Sequence, residues 1–319
     1  MKKLIPILFI PAVLVGCKKP VEEEFDREAM LINMASAVII PSLETLADDL
    51  ASLKTTTANF VASPGAGTLA SLRTEFLQTY KDFQHCKMYN FGPMLSAGLK
   101  ASMNTYPTDT AKIEDNVGTG SYTLGGAGNL DAEGLPAIDY LLYYPNDAGV
   151  IDNFTTAPGA DNRKTYLTEM VEKMRLEANA VRDAWNDGYD VTFYTADGTD
   201  VGSSTGILFN EFVKDIELLK NAKIGIPGGQ FSAGEPLPEM TEAHFSKHSK
   251  TLALESISAL KNCFQGIAGS GYDDYIMDVE GEDVDPSLAT NIINQFDLAK
   301  SKINALGADF NADVMTNFD

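Results

Sequence analysis

EAMLINMASAVIIPSLETLADDLASL, from Glu28 to Leu53, repeats apolar residues at Leu31, Met34, Ala35 and Val38, and again at Leu43, Leu46, Ala47 and Leu50. Steps of three and four place these side chains on one face of an α-helix, where a strand would need strict alternation. The stretch therefore predicts a long amphipathic helix. Pro41 cannot donate the hydrogen bond that an interior helical residue gives, so it predicts a kink.

The same period runs through the rest of the chain. A second helix from about Thr68 carries Leu69, Leu72, Phe76, Leu77, Tyr80 and Phe83 in one stripe and is expected to stop at Gly92-Pro93. LKASMNTYPTDTAKIEDNV reads as a short helical or irregular pass broken at Pro107, and the glycine-rich run from Gly118 to Gly128 as a loop. A new helix is expected over Leu135–Tyr144, with Asp131 or Glu133 supplying acid near its start and Pro136 suiting its first turn. Further helices are expected over Arg163–Trp185 (Tyr166, Met170, Met174 and Val181 inward), Gly206–Lys220, Glu242–Cys263 and Pro286–Leu306. One strand-like patch, YDVTFYTADGTDVG, predicts a small β-hairpin around Asp197-Gly198. The fold class is all-α: two successive antiparallel helical bundles, residues 28–155 with the motif region and residues 156–319. Most of the methionines and aromatics are expected in their cores.

The N-terminus is read separately. Met1-Lys2-Lys3 is a basic start, Leu4–Val15 is apolar but too short for a stable span of about 20 residues, and Leu14-Val15-Gly16-Cys17 has the order of a lipobox. Residues 1–16 read as a lipoprotein signal peptide. Residues 17–27 read as a lipidated Cys17 and a charged tether that holds the protein on the outer membrane, facing the periplasm or the cell surface. Cleavage removes two lysines and takes the formal charge from −21 to −23. So negative a chain repels phosphate backbones, which excludes a non-specific nucleic-acid role and suits cationic ligands or metal ions. Beyond Cys17, only Cys86 and Cys263 remain; an oxidising envelope allows a bridge between them, and buried thiols are the other reading.

The inventory of chemistry is short. Of three histidines, His244 and His248 in HFSKH have the i, i+4 spacing of a zinc-binding pair on a helix, but Phe245 stands where the zinc protease signature needs glutamate. No nucleophile elbow, phosphate-cradling glycine loop or dinucleotide fingerprint is present. What remains is oxygen: Asp139, Asp109, Glu114, Asp115, Glu75 and Asp131, with Tyr106, Tyr140, Tyr143 and Tyr144 among them. Carboxylates and phenolates suit hard cations, ferric iron included.

Several landmarks, in order, resemble the imelysin-like proteins, a family catalogued as peptidases and linked to bacterial iron uptake. FLQTYKDFQHCKMYNFGP is similar to its helix ending in aromatic-Gly-Pro, and ASMNTYPTDTAKIED to its Asn-x-aromatic-Pro-x-Asp segment. GLPAIDYLLY stands in place of its Gly-x-His-x-x-Glu motif. RKTYLTEMVEKMRLEANAVRDAW, FVKDIELLKNAKIGIPGG and HFSKHSKTLALESISALKNCFQG follow in family order. The resemblance implies two helical halves with the motif helix facing a cleft between them. Carried over residue by residue, Gly134 matches the motif glycine, Asp139 replaces its glutamate and Pro136 its histidine. Proline has no lone pair for a metal and aspartate reaches one methylene less than glutamate, so both motif ligands are altered.

These readings lead to a non-catalytic, ligand-binding outer-membrane lipoprotein of iron or haem uptake. Gly134, Pro136, Asp139, Asn104, Tyr106 and Asp109 form its ligand site, and Asp139 is the one metal-ligand candidate. A metal ion or small ligand, and an outer-membrane iron-uptake receptor, are the expected partners besides the membrane. The rival readings are an envelope lipoprotein that docks a partner at a decayed metal site, and a metallopeptidase that recruits His244 or His248.

Overall fold

The computed structural model describes residues 25–267, 269–279 and 285–316. The expected signal peptide, Cys17 and the head of the tether lie outside these residues. The long N-terminal helix forms as α1 (Arg27–Asn33) and α2 (Ile40–Ala62), joined by a π-helical turn over Met34–Ile39. That wider turn directly precedes Pro41, whose ring crowds the turn before it and whose nitrogen has no hydrogen to give. By length and composition Arg27–Ala62 is apolar enough to cross a membrane. Here, however, Leu43, Leu46, Leu50 and Leu53 are buried against other helices of the same chain.

The chain continues through α3 (Ala66–Cys86), α4 (Gly92–Ala97), α5 (Leu99–Met103), α6 (Thr110–Thr119), α7 (Gly134–Tyr143), α8 (Asp147–Asn153) and α9 (Ala160–Ala184). It then forms α10 (Asp190–Thr195), α11 (Ser204–Leu218) with a π-helical extension over Leu219–Gly225, α12 (Ser249–Gln265), α13 (Tyr272–Val279), α14 (Leu288–Asn304) and α15 (Phe310–Thr316). Helix α2 packs between α3 and α9, α3 in turn packs on α12, and α12 on α14. Helix α9, which the sequence assigns to the second half, thus lies along α2 of the first. Its Tyr166, Met170, Met174 and Val181 are buried as their spacing predicts. Cys86 and Cys263 are both buried and free.

Three expectations about elements are corrected. Gly92-Pro93 starts α4 rather than stopping the previous helix, which ends at Cys86. Proline in a first helical turn loses no hydrogen bond, so it serves a start as well as a stop. The hairpin does not form: residues 189–195 are helical, and no strand occurs among the described residues. Trp185, Tyr189 and Phe193 recur every four residues, and the Trp185 ring packs on Tyr189 at 4.9 Å and on Phe193 at 5.3 Å. That aromatic stripe outweighs the strand preference of single valines and threonines. Finally, α12 begins at Ser249, not near Glu242.

The motif helix α7 is the most enclosed element. Every residue from Gly134 to Leu142 is buried. A helix apolar nearly all round can only be a core helix, and α7 is packed among α3, α5, α6, α8 and α9. Its one carboxylate, Asp139, therefore has to find its partners inside the protein.

Candidate ligand-binding cleft

Two backbone features fix the start of α7. Gly134 has φ +78°, and a Cβ there would stand 2.5 Å from the carbonyl oxygens of Ser102 and Met103. Only glycine lets the end of α5 approach this closely. Pro136 lies two residues further on, in the first turn, where its missing N–H has no helical partner to lose. One turn later Asp139 points at the segment before α12. Its Oδ2 accepts the N–H of Phe245 at 2.8 Å, and both of its oxygens accept that of Ser246, at 3.2 and 3.3 Å.

These hydrogen bonds explain why the expected helix does not begin at Glu242. In a helix the amides of Phe245 and Ser246 would bond to carbonyls four residues back. Here they turn to Asp139, while Ala243 and Lys247 take left-handed φ of 51° and 64°. Consequently His244 and His248 do not share a helical face. His244 Nδ1 lies 2.9 Å from the Pro238 carbonyl oxygen, and Asn311 Nδ2 donates to the His244 carbonyl at 3.0 Å. His248 instead turns edge-on to Tyr143, and burial holds its ring nitrogen below the usual histidine range.

Asp139 is 1% exposed, and its carboxyl is pushed up to about 6. Burial is the leading cause, opposed by the hydrogen bonds from Ser246 and Phe245 and reinforced by nearby Glu242. Beside it opens a cavity of about 250 Å³ lined by Tyr106, Pro107, Pro136, Asp139, Glu239 and His244. The Tyr106 phenol is pushed well up by burial first and then by Glu242 and Asp215.

The other expected site residues are placed as follows. Asn104 is not on this wall: its Oδ1 accepts the Tyr80 hydroxyl at 2.7 Å and its Nδ2 donates to Glu242 Oε1 at 2.7 Å. Asp109 caps α6, accepting the Lys112 N–H at 3.0 Å, and does not line the cavity. Asp131 pairs with Lys112 at 2.6 Å, and Glu114 pairs with Arg163 while accepting the Tyr140 hydroxyl at 2.8 Å. The oxygen-rich residues of the sequence are thus spread over separate local contacts.

The donor set does not fit a metal ion held by the protein alone. The Pro136 side chain offers no lone pair, Asp139 is engaged by two amides, and among the described residues no group of three or more histidine, cysteine, aspartate or glutamate side chains could hold one. No catalytic step follows from such an ion here.

Sequence reasoning missed a buried polar network behind the cleft. Glu242 is 1% exposed and pairs with Lys223, which also donates to Gln84 Oε1 at 3.0 Å. Ser256 donates to the same oxygen at 2.9 Å. Lys87 pairs with the fully buried Asp215. A signal was present: Gln84 and Lys87 continue the buried stripe of Tyr80 and Phe83, and Asp215 continues that of Leu208 and Phe212. Polar residues in positions that the apolar period reserves mark buried pairs.

The imelysin family model matches residues 39–318. A search of curated proteins finds no match. Among solved structures, a protein described as an iron-regulated protein A precursor from Parabacteroides distasonis superposes with a TM-score of 0.76 at 19% identity, covering 95% of this chain and 90% of that one. An imelysin-like protein from Psychrobacter arcticum superposes with a TM-score of 0.69 at 15% identity, covering 92% of each chain. At these identities the likeness is one of fold.

Proposed function

From the imelysin family, to which this chain belongs, we propose a non-catalytic, ligand-binding lipoprotein that serves iron acquisition at the outer membrane. The observation that carries this reading is the state of the motif helix. Pro136 stands in place of a donor and Asp139 is spent on two amides, yet a cavity with Tyr106, His244 and Asp139 among its lining residues persists beside them. The frame of the site is kept while its metal-holding chemistry is gone.

The same geometry narrows the ligand. The cavity, at about 250 Å³, is below the ~300–1,000 Å³ of pockets that enclose drug-sized molecules, which favours a small iron complex over the haem macrocycle. With no three-donor cluster among the described residues, the iron arrives with oxygen ligands of its own. Tyr106, His244 and Glu239 then supply hydrogen bonds to that shell. Support for the iron setting comes from the neighbour described as an iron-regulated protein. The membrane anchor rests on the Cys17 lipobox.

Calorimetric titration of the purified protein with ferric, ferrous and zinc ions, small ferric chelates and haem tests the proposal. The expected result is saturable binding of a ferric chelate, weakened at least tenfold by His244→Gln. Binding of none of them, or equal binding by the variant, contradicts it. Chelator-sensitive cleavage of a peptide library would favour a metallopeptidase instead.

A further inference from the structure

A second cavity, of about 340 Å³, lies on the other side of Tyr106 and Pro107. Its polar wall is made by Lys87, Lys100, Lys223, Asp215, Asn104 and Tyr106. Lys87 is 3% exposed, Lys223 4% and Asp215 0%, and with the partly buried Lys100 they line one partly open cavity. The partners are unevenly shared. Lys87 holds Asp215 Oδ2 and Lys223 holds Glu242, which leaves Lys100 with only Asp215 Oδ1 at 3.5 Å. At that separation Lys100 Nζ has no hydrogen bond although the atom is buried.

Lys87, Lys100 and Lys223 stand against Asp215 and Glu242, one positive charge in surplus, with Glu211 the next carboxylate that acts on Lys100. An interior cation without a full partner is costly, and proteins relieve that cost by neutralising the group or by supplying an anion. A chain with 45 acidic and 24 basic residues has carboxylates to spare, yet Lys100 is left sharing Asp215 with Lys87 and donates no hydrogen bond to it. The overall negative charge does not forbid an anionic ligand. Charges on distant surfaces are screened beyond about 8 Å at physiological salt, whereas the three lysines act at contact.

The rest of the wall decides what kind of anion fits. Phe83, Leu218, Ile226 and Met240 line it together with the lysines. A bare phosphate or sulfate would gain nothing from that apolar side and would leave much of the space unfilled. We propose that this cavity binds a small organic polycarboxylate, with one carboxylate on Lys100 and the carbon chain against the apolar wall. Lys100 is a binding residue of this site, and Tyr106 forms the partition between it and the Asp139 cleft. Burial lowers the Lys100 ammonium below the ordinary lysine range, with Asp215 partly opposing, so a bound carboxylate restores what burial takes away. The inference does not rest on the iron reading, because the probe carries no metal.

The test is calorimetry of the full mature chain with citrate and succinate in chelator-treated buffer at pH 7, with inorganic phosphate and sulfate as separate arms. Saturable citrate binding is expected, weakened tenfold or more by Lys100→Gln, the size of one lost charge-assisted hydrogen bond. Lys100→Arg should restore part of it, and Lys261→Gln at a surface ion pair should leave it unchanged. A measurement on the parent protein stands even if the glutamine variant does not fold: a crystal soaked with citrate should show a citrate carboxylate against Lys100 Nζ. No saturable binding of either carboxylate, phosphate binding without citrate binding, or citrate bound away from Lys100 each overturns the proposal.

Discussion

The carboxylate of Asp139 accepts the backbone N–H of Phe245 at 2.8 Å and thereby ties the motif helix to the turn that precedes α12. This contact joins residues 106 apart in sequence and takes the side chain that the family pattern would offer to a metal. Asp139 thus acts first as an architectural acceptor, and the cleft beside it is shaped by the turn it holds.

Asp139→Ala should destabilise the protein by roughly 2 kcal/mol or more. It leaves the amides of Phe245 and Ser246 without their acceptor, and an unsatisfied buried donor costs about 1–3 kcal/mol. Urea denaturation of parent and variant at pH 7 measures it. A loss below half a kilocalorie would show that water replaces the carboxylate without cost.

The raised Asp139 carboxyl has a signed consequence for pH. Its folded value of about 6 lies above the ordinary 3.8, so between these values the folded chain holds a proton that the unfolded chain has released. Its contribution therefore favours the folded state toward pH 4 and is lost as pH rises through about 6. Asp49, pushed up to about 8 by burial and by Asp82, slopes the same way, so the comparison must be differential. Asp139→Asn should make stability fall less than in the parent between pH 4.5 and 6.5. Denaturation midpoints at those two pH values decide it, and parallel slopes would reject the assignment.

Gly134→Ala should cost about 3 kcal/mol or prevent folding. The residue has φ +78° and an added Cβ meets two carbonyl oxygens at 2.5 Å, so neither the backbone nor its neighbours can absorb a methyl group. Thermal denaturation checks this, and a loss near zero would mean that α5 can shift away from α7.

How much of this was legible in the sequence depends on the range of the forces involved. The stripes of α2, α3 and α9 were legible because helical periodicity is local, and so was the first-turn place of Pro136. The turn over residues 241–248 was not, since its conformation is set by Asp139 on another helix. Nor was the place of Asn104, whose partner Glu242 is 138 residues away. YDVTFYTADGTDVG misled because single-residue strand preference pointed one way, while the aromatic repeat through Trp185, Tyr189 and Phe193 pointed the other.

Lys223→Met should cost about 3–5 kcal/mol, because it strands Glu242 as a buried charge beside Gln84 and Asn104. Adding Glu242→Leu should recover much of that loss, as replacing both members of a buried pair by apolar groups often costs little. Denaturation of the two single variants and the double variant gives the coupling. Strict additivity would contradict a direct pair.

The cavity beside Asp139 is proposed to take a small iron complex without a protein-held metal centre. Anomalous diffraction at the iron edge, from crystals of the protein soaked with small ferric chelates, tests it most directly. One iron peak is expected in the cavity bounded by Tyr106, Pro136 and His244, with the Asp139 hydrogen bonds to Phe245 and Ser246 intact. An iron coordinated directly by Asp139 with those hydrogen bonds broken, or no iron in the cavity at all, would contradict it.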